Sequence, residues 1–239
     1  MATTAAFFDL DKTVISKSST LAFGKPMYQA GFLGRRTLTR FAVGQLMYVL
    51  VGADADRLEM ARDQMLQLTA GWHRAEIEQL VEETLEEVAE PLVYAEALTL
   101  IEEHKKAGRR VFLVSSSEEE IVRPMCGDFG INEFLATRIK TECAGFFLPV
   151  VERLCMGQGK VVYINDFAAR EDIDLAASYA YSDSQTDLPM MEMVGHPVAV
   201  NPEKELRKVA EEREWPILEF QLEVSVVPRI PRPTPLVSG

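Results

Sequence analysis

The chain has 239 residues, 47% of them hydrophobic, enough to bury a sizeable core as one large domain or one domain with an insert. Mean hydropathy near zero and a longest apolar stretch of only 12 residues, 41–52, exclude a disordered chain and a membrane-spanning helix. A formal net charge of −12 argues against general nucleic-acid binding, and Cys126, Cys143 and Cys155, lacking CxxC spacing, read as reduced thiols.

The first residues run straight into an apolar segment without the charged start or apolar centre of a leader, so a cytoplasmic protein is expected. That segment, Ala5-Ala6-Phe7-Phe8, reads as a buried parallel strand and stops at two carboxylates one residue apart, Asp9 and Asp11. Ligands of open α/β sheets bind at the carboxyl ends of strands, so this pair sits where chemistry is expected. Helical patterns follow at 35–51, 54–68 and 74–88, the last with Ile77, Leu80, Val81, Leu85 and Val88 at helical spacing.

A further helix over 94–106 ends before Gly108, a good residue to follow a helix. Residues 110–114 read as a second buried strand ending at Ser115-Ser116-Ser117, and Ser117 with Glu120 forms a capping-box pattern. Residues 133–156 suggest short strands and turns, an antiparallel insert. Gly157-Gln158-Gly159 leads into a helix from Lys160. Strands three and four are expected at 178–181 and 197–200, with Asn201 and Pro202 as the cap and first residue of a helix over 203–213. Residues 215–220 are expected to close the sheet, and a proline-rich tail follows.

Strands alternating with helices give an α/β class, a Rossmann-like parallel sheet with an inserted helical cap and a small β insert. The expected division is a core of 1–15 and 90–220, with the β insert at about 136–157, a helical cap of 16–89, and a tail of 221–239. Residues 1–52 carry six basic side chains against Asp9 and Asp11 alone, a local excess that suits an anionic substrate.

Asp9-Leu10-Asp11-Lys12-Thr13, Ser115, Lys160 and Ser182-Asp183-Ser184-Gln185-Thr186-Asp187 resemble, in order, the four motifs of the haloacid dehalogenase superfamily. A helical insert between motifs one and two resembles its phosphoserine-phosphatase-like branch, subfamily IB. The resemblance implies a Mg²⁺-dependent phosphomonoester hydrolase acting through an aspartyl-phosphate on a small phosphorylated metabolite. It makes Asp9 the nucleophile and Asp11 the general acid and base. Ser115 and Lys160 would stabilise the phosphoryl oxygens, with Leu10, Asp11 and Ser116 completing the phosphate cradle. Asp9, Asp183 and the main-chain carbonyl of Asp11 would bind Mg²⁺, and Asp187 would orient Lys160 or a metal-bound water. The chemistry is coherent: a carboxylate attacks a phosphate dianion only once its charge is neutralised, and Mg²⁺ needs few protein oxygens. Asp11-Lys12-Thr13 also resembles the phosphorylated motif of P-type ion pumps, but Val14 and Ile15 stand where Gly and Thr are required.

Three departures bear on specificity. Phosphoserine phosphatases usually carry an acid nine positions after the nucleophile, where this chain has Ser18 beside Lys17. Ser115-Ser116-Ser117 stands for Ser-Gly-Gly, and Ser182 and Ser184 replace glycines. With Phe23, Met27, Tyr28, Phe32 and Phe41 in the cap, Lys17 and Ser18 point to an ester without the ammonium group, on a less polar alcohol. A regulatory or phosphometabolite-binding protein on the same fold is the alternative. His73, His104 and His196 match no metal or triad spacing, and Met190, Met191 and Met193 read as core. The expected partner is a small-molecule phosphate ester, with no nucleic acid and no stable membrane insertion; the oligomeric state is not encoded legibly.

Overall fold

The computed structural model describes residues 3–34 and 66–223. β1 (Ala5–Asp9) is followed by two short helices, α1 (Ser19–Ala22) and α2 (Gly24–Gln29), and then by α3 (Arg74–Val88) and α4 (Ala95–Lys106). The chain continues through β2 (Arg110–Glu118), α5 (Glu119–Asp128), and the hairpin of β3 (Glu133–Thr141) and β4 (Phe147–Arg153). It ends with α6 (Gln158–Glu171), β5 (Tyr179–Ser182), α7 (Leu188–Glu192), β6 (His196–Val200), α8 (Lys204–Glu212) and β7 (Ile217–Leu218).

The seven strands form one sheet in the order β4-β3-β2-β1-β5-β6-β7. All pairings are parallel except that of β3 with β4. β1 is buried along its whole length because it is a central strand, with β2 on one side and β5 on the other. The chain winds outward from β1 through β2, β3 and β4 and then returns to β5 on the other side, so the carboxyl end of β1 lies at the switch point that parallel sheets use for ligands.

Successive side chains of β1 serve two cores. Phe7 stacks on Phe112 and joins the apolar layer under α6, which includes Ile164 and Ala168. Phe8 stacks on Tyr181, ring centroids 4.3 Å apart, and joins the opposite layer. That layer runs without a break from Leu113 and Ile121 to Phe23, Met27, Ile77, Val81 and Leu85. The i, i+4, i+8 spacing of Ile77, Val81 and Leu85 explains why residues 74–88 form a helix and which face it buries. No helix among the described residues is long and apolar enough to cross a membrane.

Three local expectations are corrected. The segment expected as a separate β insert is an antiparallel hairpin, but its first strand pairs in parallel with β2, so it extends the main sheet. Ser117 does not cap a helix: β2 runs on to Glu118 past a register shift, and α5 starts at Glu119 without a side-chain cap. Asn201 and Pro202 do not open α8, whose N-cap is Glu203. Asn201 instead takes φ = 42° and pairs its amide with the backbone of Phe220, accepting from its N–H at 2.8 Å and donating to its carbonyl at 3.2 Å. The helices expected at 35–51 and over most of 54–68, with Phe41, lie outside the described residues, as does the proline-rich tail beyond Glu223.

Candidate active site

The backbone turns immediately after β1. The Leu10 carbonyl accepts from the N–H groups of Val14 and Ile15 at 3.0 and 3.1 Å, and Lys12 takes φ = 58° to make the turn. Such a left-handed lysine is uncommon and costs some strain. The turn holds Asp9 and Asp11 at the edge of the sheet with their carboxylates facing different neighbours.

Asp9 faces the core side of the crevice. Lys160 Nζ donates to Asp9 Oδ1 and to Asp187 Oδ2, both at 2.6 Å, and its side chain is only 2% exposed. Asp187 Oδ2 also accepts from Ser182 Oγ at 2.8 Å. Lys160 reaches this position because α6 begins tightly against the preceding loop. A Cβ at Gly159 would run into the backbone carbonyl of Leu154, so only glycine fits there. Burial drives the Asp9 carboxyl well above its ordinary range, Lys160 pulls it back, and the carboxylates of Asp187 and Asp183 push it up again.

Asp183 follows the last residue of β5 and is 4% exposed. Burial pushes its carboxyl up to about 7, and Lys12 Nζ, 4.0 Å away on an exposed side chain, offsets this only in part. The loop beyond it is pinned by Glu203, whose Oε1 accepts from Ser184 Oγ at 3.1 Å and from the Gln185 N–H at 2.8 Å. The Glu203 N–H donates in turn to the Asp183 carbonyl at 2.9 Å.

Asp11 faces the helical side. Its Oδ1 accepts from the Ser19 N–H at 2.9 Å, and Ser19 Oγ lies 2.8 Å from Ser117 Oγ. Burial raises the Asp11 carboxyl and the bonds from Ser19 lower it, with a net upward result. Ser115 is buried at the end of the straight part of β2, where its Oγ accepts from the Ser117 N–H at 3.1 Å. Ser116 is exposed, Leu10 is fully buried, Lys17 is exposed and Ser18 half-buried at the entry to α1.

The expected residues thus fall into two groups around the ends of β1, β2 and β5. Asp9, Lys160 and Asp187 form one bonded cluster with Asp183 beside it; Asp11 stands apart and is tied to α1. Ser19, Ser117 and Glu203 were not singled out for this site by the sequence. A serine-rich entry to a helix and an acid ahead of α8 carry no signal of contacts so distant in the chain.

The model for haloacid dehalogenase-like hydrolases matches residues 6–192, which span all of these residues but Glu203. The chain belongs to that family. It is 47% identical over 233 residues to a Mycobacterium tuberculosis protein named a probable phosphatase, covering 98% of this chain and 81% of that one. A second M. tuberculosis protein, named phosphoserine phosphatase SerB1, is 30% identical over 221 residues, covering 92% of this chain and 72% of that one. Among solved structures, a Bordetella pertussis protein described as of unknown function superimposes with a TM-score of 0.80 at 28% identity, covering 91% of this chain and 99% of that one. This member of the haloacid dehalogenase-like hydrolases is a phosphatase.

Proposed function

We propose that the protein hydrolyses small phosphate monoesters in a Mg²⁺-dependent reaction with a phosphoryl group carried transiently on Asp9. The observation that carries this reading is the buried bond from Lys160 to both Asp9 and Asp187, with Asp183 alongside and Asp11 held separately.

The donor set suits Mg²⁺. Among the described residues no three acid, histidine or cysteine side chains converge as ligands. The hard oxygens of Asp9, Asp183 and the Asp11 carbonyl are nevertheless enough for an ion that keeps several waters. Burial, with neighbouring carboxylates adding to it, pushes Asp9 and Asp183 up, and a divalent cation would supply positive charge at this buried acidic site. Once bound there, Mg²⁺ would neutralise the incoming phosphate dianion.

An Asp9 oxygen attacks phosphorus in line as the ester oxygen leaves and takes a proton from Asp11. The raised carboxyl of Asp11 suits it to hold that proton before the step. Asp11 then removes a proton from water, the water oxygen attacks phosphorus, and inorganic phosphate leaves with the Asp9 carboxylate restored. Lys160 places positive charge beside the nucleophile, and Asp187 with Ser182 fixes its position. Ser115 offers its hydroxyl to a phosphoryl oxygen. Leu10 and Asp11, through the turn after β1, and Ser116 at the exposed end of β2 complete the cradle. The reading is of a cytoplasmic enzyme for small-molecule esters.

Phosphate release from a panel of esters, with and without Mg²⁺, tests this. Mg²⁺-dependent release that falls more than about a hundredfold in Asp9→Asn is expected. No release from any ester, or an active Asp9→Asn variant, would overturn it.

A further inference from the structure

α1 has four residues, and Ser19 is the one among them that is buried. A helix this short does not fix its own position, and Ser18 at its start supplies no side-chain cap. Its far end is anchored by Phe23, which is buried in the apolar layer. Its near end is anchored by a hydroxyl pair: Ser19 Oγ lies 2.8 Å from Ser117 Oγ, and Thr20 Oγ1 lies 3.4 Å from the same atom. From there the Ser19 N–H donates to Asp11 Oδ1 at 2.9 Å.

Ser117 reaches Ser19 because β2 is irregular at its end. The four-residue step from Val114 to Glu118 runs alongside a step of only two on β3, from Leu135 to Thr137. The surplus lifts Ser115-Ser116-Ser117 out of the regular ladder, as a bulge does. Ser116 is exposed, while Ser115 and Ser117 are buried. The Ser117 N–H donates to Ser115 Oγ and its hydroxyl meets Ser19, so one residue joins Ser115 to the support of Asp11. A glycine at this position, as in Ser-Gly-Gly, could make only the first of these contacts. A buried hydroxyl stripped of its partner is costly, so without the Ser117 hydroxyl the near end of α1 would shift to satisfy Ser19 elsewhere.

We propose that Ser117 is a positioning residue for departure of the alcohol: its hydroxyl holds Ser19, and Ser19 in turn holds the Asp11 carboxyl where it protonates the ester oxygen. The inference rests on the proposed role of Asp11 and adds a residue that acts through it; Ser117 itself touches no reacting atom. Placement matters because a proton donor works only within hydrogen-bond reach of the atom it protonates. A Ser117 that served the fold alone would, when replaced, lower the active fraction and slow every ester alike.

The test compares kcat/KM for para-nitrophenyl phosphate, whose leaving group departs without a proton, and benzyl phosphate, of similar size, whose alcohol needs one. Ser117→Ala should lower kcat/KM for benzyl phosphate about fivefold or more and leave para-nitrophenyl phosphate within about twofold of wild type. Ser117→Thr, which keeps the hydroxyl, should restore the wild-type ratio. In an Asp11→Asn background, adding Ser117→Ala should change neither ester beyond about twofold. Ser19→Ala, which removes the other hydroxyl of the pair, should repeat the selective loss, so the inference is falsifiable even if Ser117→Ala fails to fold. An equal loss on both esters, no loss on either, an unrestored ratio in Ser117→Thr, or full additivity with Asp11→Asn overturns it. Failure of the parent reading looks different: the wild type hydrolyses neither ester, or Asp11→Asn alone slows both equally.

Discussion

Replacing Lys160 by methionine removes a buried ammonium while keeping a flexible side chain of similar length. Lys160 is 2% exposed and its two bonds, both 2.6 Å, end on carboxylates that are themselves 7% (Asp9) and 3% (Asp187) exposed. Without it, Asp9, Asp183 and Asp187 face one another with only the exposed Lys12, 4.0 Å from Asp183, as a nearby cation. Breaking a buried ion pair from one side costs about 3–5 kcal/mol. That is a large share of the roughly 5–15 kcal/mol by which a domain is stable. Urea unfolding of chelator-treated protein at pH 7 should therefore show Lys160→Met destabilised by about 3–5 kcal/mol. Adding Asp187→Asn removes one of the stranded charges, so the double variant should recover part of the loss, by a coupling of about 0.5–3 kcal/mol. A loss below about 1 kcal/mol in the single variant would refute the reasoning, because a solvated lysine costs that little to remove.

Asp11→Asn should leave the fold intact and lower kcat/KM, which reports the step in which the alcohol departs, most for esters with poor leaving groups, since that alcohol then lacks its proton donor; an equal fall in kcat/KM across a leaving-group series would contradict the role. His104 provides a pH signature. It is 4% exposed, Arg109 Nη1 lies 3.4 Å from its Nδ1, and its Nε2 is 2.7 Å from the Tyr181 hydroxyl. Burial, with Arg109 adding to it, lowers its pKa from 6.5 to about 4. Between those values the unfolded chain binds more protons than the folded one, so this group's stability is fully present above pH 6.5 and is lost as pH falls toward 4. The loss is on the order of 3 kcal/mol. The stability difference between wild type and His104→Gln should shrink by about that much from pH 7 to pH 4, and a difference independent of pH would contradict it.

The nucleophile strand was legible because a fully buried central strand leaves an unbroken apolar run, and Asp9 marks its end. Residues 74–88 were legible for the complementary reason, a helical repeat on one buried face. Lys160 was not readable in isolation: a lysine near the start of a helix is usually solvated, and only its place among the four motifs separated it from that background. The residues that were missed depend on contacts made by the tertiary fold. Ser117 fits a capping box by spacing, yet β2 runs past Val114 through a register shift and uses it to meet Ser19. Asn201-Pro202 fits a helix start, yet pairing with the Phe220 backbone decides its conformation. Glu118 reads as one of three consecutive acids, and nothing local tells that it lines a cavity 98 residues in sequence from Thr20 on the opposite wall.

The most direct measurement is chemical identification of the phosphorylated residue. Protein quenched during turnover of a good substrate with Mg²⁺, then reduced with borohydride, converts an aspartyl phosphate to homoserine at the modified position. Peptide mass spectrometry should find homoserine at position 9 and nowhere else, and should lose it in Asp9→Asn. Homoserine at position 11 or 183, or none at any aspartate despite rapid phosphate release, would contradict the assignment of Asp9 as the nucleophile.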